Sequence, residues 1–311
     1  MKRKTVALFA VIAVAIIAVV AGTSYYTLQQ PFTPRTSSPL PSGKPPNWQI
    51  KVSGDFEQEK NWTVSELTEM PLSNVTLLGG DNSVYTGVTL IDFCNQTGIN
   101  WDAGPINIIS AQGATVTLSV FQAWNSTYYP YYYNNNIIVL AFAKDGHWLS
   151  NEDGGPVELI APYFPANYQM QSVAEVQSDS WTVSISGEVS NPMVITGKNL
   201  TVVQPVTVHA EFRPGGEPNR TSDWTGLSIL DVLQAANMSG RAEKITVIAI
   251  DGYEKNYTLD QVRDGAMMIG YQENGQPLPI SQGGPFRLFA PTDQYKWGQY
   301  WVKFVHEIIV S

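Results

Sequence analysis

Reactive side chains are scarce in this chain. One cysteine, Cys94, and three histidines, His147, His209 and His306, are its whole stock of thiol and imidazole groups. A lone cysteine excludes an internal disulfide and any thiolate-rich zinc or iron–sulfur site. Cys94 follows Ile91, Asp92 and Phe93 in an apolar stretch, where a small buried hydrophobe is its ordinary role. The sequence holds no Gly-x-Ser-x-Gly, no Walker-type loop and no His-Glu-x-x-His. Asn151, Glu152 and Asp153 offer oxygen ligands to calcium but lack the full loop spacing, which leaves a polar turn. The run from Tyr128 to Tyr133 fits two roles: an inserted loop that stacks on a glycan or protein partner, or an edge strand packed on a neighbouring domain.

The elements that position these residues must come from a folded, exported chain. Of 311 residues, 43% are hydrophobic, 11% aromatic and 14% charged, which argues against disorder and coiled coil. The length accommodates one or two domains. A net charge of −9 leaves nothing to replace phosphate counterions, so nucleic acid is not an expected partner.

Lys2, Arg3 and Lys4 precede an uncharged apolar run from Val6 to Ala21. Residues 1–28 therefore read as a signal anchor, with the basic end in the cytoplasm and the chain held at the cell membrane by a single pass. A cleaved signal peptide is the competing reading, with Val19-Val20-Ala21 as a small-residue cleavage pattern. Residues 29–47 form a Pro/Ser-rich linker. Asn-x-Ser/Thr sequons at Asn61, Asn74, Asn95, Asn125, Asn199, Asn219, Asn237 and Asn256 fit a glycosylated extracytoplasmic surface.

The rest of the chain reads as an internal repeat. Ile50–Asp55 matches Val183–Glu188, Tyr85–Asp92 matches Trp224–Asp231, and Gly154–Pro162 matches Gly283–Pro291, in the same order. Two tandem domains are expected, at 48–177 and 178–311. Each alternates β-branched runs, such as Ile106–Ser110 and Ile245–Ile250, with short helices at Leu90–Cys94 and Leu227–Ala236. The fold class is α+β, with mixed, strand-rich sheets predominating.

The second copy resembles the molybdopterin-binding domain of the sulfite oxidase family. The resemblance rests on Trp224-Thr225-Gly226-Leu227, Ile250-Asp251-Gly252-Tyr253, Tyr271 to Leu278, Gly283-Gly284-Pro285-Phe286-Arg287-Leu288, and Gly298 with Val302-Lys303. The first copy resembles the same domain more weakly, through Trp62 to Leu67, Tyr85-Thr86-Gly87-Val88 and Gly154-Gly155-Pro156. The resemblance implies a β-rich α+β fold in both copies.

It also implies a molybdopterin cofactor whose metal is bound by a cysteine thiolate, a soft ligand. That position falls at Ala210 in the second copy and near Gly79 in the first. The cofactor's anionic groups call for Arg and Lys, and the second copy keeps Arg287 and Lys303. Where the family has a further basic residue this sequence has Tyr300; in the first copy Glu158 replaces the arginine and Ala174 the lysine. His209 and Arg213 are further candidate contacts, as are Arg220 and Lys296, each with solvated surface charge as the alternative. Trp224, Trp297 and Trp301 either wall a pocket or fill a core.

The expectation is a membrane-anchored extracytoplasmic protein without a catalytic residue or protein metal ligand, serving as a binding or structural module toward an envelope protein or glycan. The ligand stays unidentified. The alternative is a molybdopterin-dependent oxidoreductase with its cofactor in the second domain.

Overall fold

Side-chain alternation builds the strands. In Ala103–Ser110 the side chains of Ile106, Ile108 and Ser110 are buried while those between them are partly exposed, the period expected of a strand with one face on a core. The computed structural model describes residues 39–311 except 58, 78–81, 120–121, 124–136, 163 and 215–218. The expected anchor, the Tyr128–Tyr133 run and Gly79 lie outside the described residues. Among those described, no helix is long and apolar enough to cross a membrane.

The first half contributes β1 (Gln49–Gly54), β2 (Lys60–Thr63), β3 (Leu72–Thr76), β4 (Val84–Thr89), β5 (Ala103–Ser110), β6 (Thr115–Leu118), β7 (Val139–Lys144), β8 (His147–Trp148), β9 (Glu158–Ile160) and β10 (Val173–Ser180). The second contributes β11 (Val183–Gly187), β12 (Met193–Ile195), β13 (Val206–Phe212), β14 (Arg220–Ser228), β15 (Lys244–Ala249), β16 (Glu254–Thr258), β17 (Met268–Glu273), β18 (Gln276–Pro277), β19 (Arg287–Phe289) and β20 (Val305–Val310). Among the described residues the helices are short: α1 (Val64–Leu67), α2 (Leu90–Gln96), α3 (Ile229–Ala235) and α4 (Leu259–Asp264).

Each half holds two sheets. One runs β2-β1-β10-β5-β6 in the first half and β12-β11-β20-β15-β16 in the second. The other runs β3-β4-β7-β8 with β9 also on β7, and β13-β14-β17-β18 with β19 also on β17. Among the described strands only β1 with β10 and β11 with β20 pair in parallel.

The helices begin where a hydroxyl stops the strand. The Thr89 side chain accepts from the Asp92 amide at the start of α2, and the Ser228 side chain from the Asp231 amide at the start of α3. The helix expected from Leu227 therefore starts two residues later, and Leu227 lies in β14 with its side chain in the core. Chain expected to be linker also packs: Pro41 is buried, and the Ser42 carbonyl accepts from Trp148 Nε1 at 3.2 Å.

Contacts between the halves are polar and aromatic. Asp102 accepts from the Gly197 amide at 2.9 Å, and Lys198 Nζ stands 3.1 Å from Asp55. Trp101 lies against Tyr271 and Phe286, with ring centroids 6.2 and 5.9 Å apart. Trp181, where the first half passes into the second, takes the Asp102 carbonyl on its amide and gives its indole N–H to the Val305 carbonyl, both at 2.7 Å.

Candidate functional site

On β13 the alternation sorts the candidate residues. Ala210 and Phe212 face inward; His209 and Glu211 face the other way. Ala210 is 6% exposed and sits in a cluster with Phe212, Trp224, Met268, Leu278, Phe289 and Trp301. Phe212 stacks on Trp301 at 4.0 Å, and Trp224 and Phe289 lie within 5.4 Å of Trp301. Where the family resemblance puts a metal-binding sulfur there is thus a buried methyl group that shares a cluster with four aromatic rings.

Two arginines lie over these rings. The guanidinium of Arg287 is 4.5 Å from the Phe212 ring and 5.3 Å from Trp301, and its Nη1 donates to the Gln282 carbonyl at 2.8 Å. Arg220 stands 5.4 Å from Phe212 and 5.6 Å from Trp224, with its Nε 3.1 Å from Glu273. An aromatic face attracts a cation, more so away from water. Arg287 is 3% exposed, so the rings and a carbonyl stand in for its hydration.

A cavity of about 390 Å³ opens beside this cluster, lined by Phe212, Pro214, Ala249, Asp251, Tyr253, Arg287, Gly298, Trp301, Lys303 and Phe304. Of the six basic residues singled out in the sequence it brings together Arg287 and Lys303, and leaves out His209, Arg213, Arg220 and Lys296. His209 Nδ1 instead pairs with Asp223 Oδ1 across the strand register at 2.6 Å, both side chains being more than half exposed. Arg213 donates to Glu211 at 2.8 Å and lies over Trp297; Lys296 donates to the other Glu211 oxygen at 2.9 Å and to Asp293. Those hydrogen bonds, from Arg213 first and then Lys296, hold the Glu211 carboxyl down to about 2. Trp224 and Trp301 are buried and Trp297 is about half exposed, so the three tryptophans do not share one pocket.

Asp251 and Tyr253, not among the candidate contacts, also stand in the cavity wall. They enter because the turn after β15, with Gly252 at φ 86°, returns the chain over the end of β20. Asp251-Gly252-Tyr253 was legible as a turn, not as a wall.

Strand register corrects two alignments with the first half. Val305 pairs with Ala249 and Val173 with Ser110, at the same place in the two sheets. Counting back, the counterpart of Lys303 is Gln171, not Ala174. Continuing β3 one residue past Thr76 makes Leu77, rather than Gly79, the counterpart of Ala210. In both cases the residue count alone misaligned segments of different lengths. Arg287 pairs with Gly270 as Glu158 pairs with Ala141, so Glu158 holds the register position of Arg287.

The donor set does not fit a thiolate-bound metal. Ala210 offers no ligand atom, and Cys94 is fully buried in the other half, where desolvation pushes its thiol well above the ordinary range. Among the described residues no group of three or more His, Cys, Asp or Glu side chains is placed to hold a metal ion. The paired cations Arg287 and Lys303 do suit an oxyanion such as a phosphate.

Residues 168–311 match the family model described as the oxidoreductase molybdopterin binding domain. Among curated proteins the chain is similar to an NADPH nitrate reductase of Leptosphaeria maculans, 27% identical over 172 residues, which is 45% of this chain and 19% of that protein. It is 26% identical over 189 residues to an NADPH nitrate reductase of Pichia angusta, covering 51% of this chain and 21% of that one. An uncharacterized oxidoreductase of Bacillus subtilis (strain 168), YuiH, is 22% identical over 112 residues, 36% of this chain and 57% of the relative. The chain thus spans about a fifth of the length of the nitrate reductases. Among solved structures, the sulfane dehydrogenase SoxCD of Paracoccus pantotrophus aligns at a TM-score of 0.37 and 20% identity, over 42% of this chain and 38% of that chain.

Proposed function

We propose that this chain is an exported, membrane-tethered protein in which a molybdopterin-binding-type domain serves as a binding module for an anionic ligand, without molybdenum redox catalysis. The observation that carries the reading is Ala210, a buried methyl group clustered with four rings at the thiolate position, beside a cavity that keeps Arg287 and Lys303. We further read the first half as a degenerate copy of the same domain; the identical strand orders and matching helix caps support this. Export rests on the N-terminal basic and apolar sequence, and the exposed positions of Asn61, Asn95, Asn219 and Asn256 are compatible with glycans. An envelope protein or a surface glycan is the expected macromolecular partner.

The test is the metal and pterin content of the full-length protein purified from cells that make the cofactor. Molybdenum and pterin fluorescence far below one per chain are expected. Stoichiometric molybdenum would establish the second reading, an oxidoreductase whose pterin occupies the Arg287–Lys303 cavity. The match of residues 168–311 to the molybdopterin family favours that alternative.

A further inference from the structure

The cavity of the second half has a counterpart in the first, of about 660 Å³, and its charge is inverted. Glu158 stands at the register position of Arg287, and Gln171 at that of Lys303. Glu158 is 7% exposed and lines the cavity, whose walls are about half apolar, with Leu77, Val116 and Ile160, and half amide or hydroxyl side chains, Gln112 and Gln171 among them. Among the described residues none hydrogen-bonds the Glu158 carboxyl group. Gly154, at φ 114°, makes the room: a Cβ there would collide with Glu158 Oε1 and Gln171 Nε2.

A carboxylate largely desolvated in a cavity wall is costly to ionise, and a cationic ligand placed against it recovers that cost on binding. An anion is repelled here, and a neutral polyol would leave the charge uncompensated. We propose that the first half carries a binding site for a small organic ammonium compound with an apolar body, Glu158 serving as its counter-ion and the apolar walls receiving the body. This site is in the other half from the Ala210 cluster, so it stands or falls independently of the reading given above.

The charged groups acting on Glu158 are Lys144 of β7, whose Nζ lies 5.4 Å from the Tyr85 ring, and Asp153 in the turn before β9. Desolvation is the largest influence and raises the carboxyl to about 7, against the lowering effect of Lys144. A bound ammonium would drive the proton off, so binding near neutral pH must release protons to the buffer.

Calorimetric titration of the full-length protein with benzylamine, and with benzyl alcohol as the neutral isostere, tests this. Benzylamine should bind with a heat that varies with the ionisation enthalpy of the buffer. Benzyl alcohol, and benzylamine on Glu158→Gln, should each bind at least roughly tenfold more weakly. A melting temperature of the Glu158→Gln protein no lower than the parent's would show that lost affinity is not lost folding. Should that variant unfold, Gln171→Leu, which narrows the polar side without touching the counter-ion, should still weaken benzylamine. Equal binding of the alcohol, retained binding by a folded Glu158→Gln protein, or no saturable benzylamine binding up to about 20 mM would overturn the proposal.

Discussion

Arg287 and Glu158 occupy the same place in the two halves: each opens the short strand that pairs with the middle of its sheet, Arg287 opposite Gly270 and Glu158 opposite Ala141. One is a cation held over aromatic rings and the other a carboxyl group in a cavity of mixed apolar and amide walls. Equivalent backbone thus presents opposite charge to two cavities.

Glu158 makes stability depend on pH. Its folded-state value, raised from 4.5 to about 7 by burial, means that the folded protein holds this proton more tightly than the unfolded chain. Stability from this group therefore falls as pH rises from about 4.5 to about 7, with a ceiling on the order of 3 kcal/mol. Glu158→Gln should be more stable than the parent in alkaline buffer and nearly equal to it in mild acid. Urea denaturation of both proteins at the two pH values checks this; a constant difference would show that Glu158 does not titrate in this window.

The ring cluster depends on Phe212, which is 1% exposed and carries both the Trp301 stack and the Arg287 guanidinium. Phe212→Ala should cost about 3–5 kcal/mol in chemical denaturation and alter tryptophan emission. A loss below about 1 kcal/mol would mean the rings are not packed as described.

At Cys94, burial in the apolar core predicts a thiol inert to a disulfide reagent in native buffer and reactive once denaturant is added. Cys94→Ser should lose about 1–3 kcal/mol of stability, because the hydroxyl is buried where a thiol was tolerated. Retention of benzylamine binding by the folded Cys94→Ser protein is also expected; its loss at unchanged stability would give Cys94 a ligand role.

The junction of the halves leaves no space at Gly197. A Cβ there would strike the Asp102 carboxylate and approach Trp101 at 2.9 Å, whereas one on Gly240 meets nothing within 4 Å. Gly197→Ala should therefore cost about 1–3 kcal/mol, and Gly240→Ala should be nearly silent. Comparable melting temperatures for the two variants would show that the junction yields freely. Asp102, whose carboxyl is raised above its usual range by desolvation and then by Asp55, is the group displaced.

Local pattern carried much of the fold. Alternation in Ala103–Ser110, the hydroxyl before each seven-residue helix and the Asp251-Gly252-Tyr253 turn are short-range effects of side chains on their own backbone, so they are readable along the chain. The same holds for the chemistry of Ala210: a methyl group cannot bind a metal in any fold. What tertiary structure alone decided was which charges meet. His209 and Arg213 sit near Ala210 in sequence, yet strand alternation and cross-strand pairing turn them to Asp223 and Glu211. Arg287 and Lys303 are far from Ala249 and Asp251 but share a cavity with them. Likewise Gln171, not Ala174, stands beside Glu158, because register is set by pairing with distant strands and by the irregularities within them.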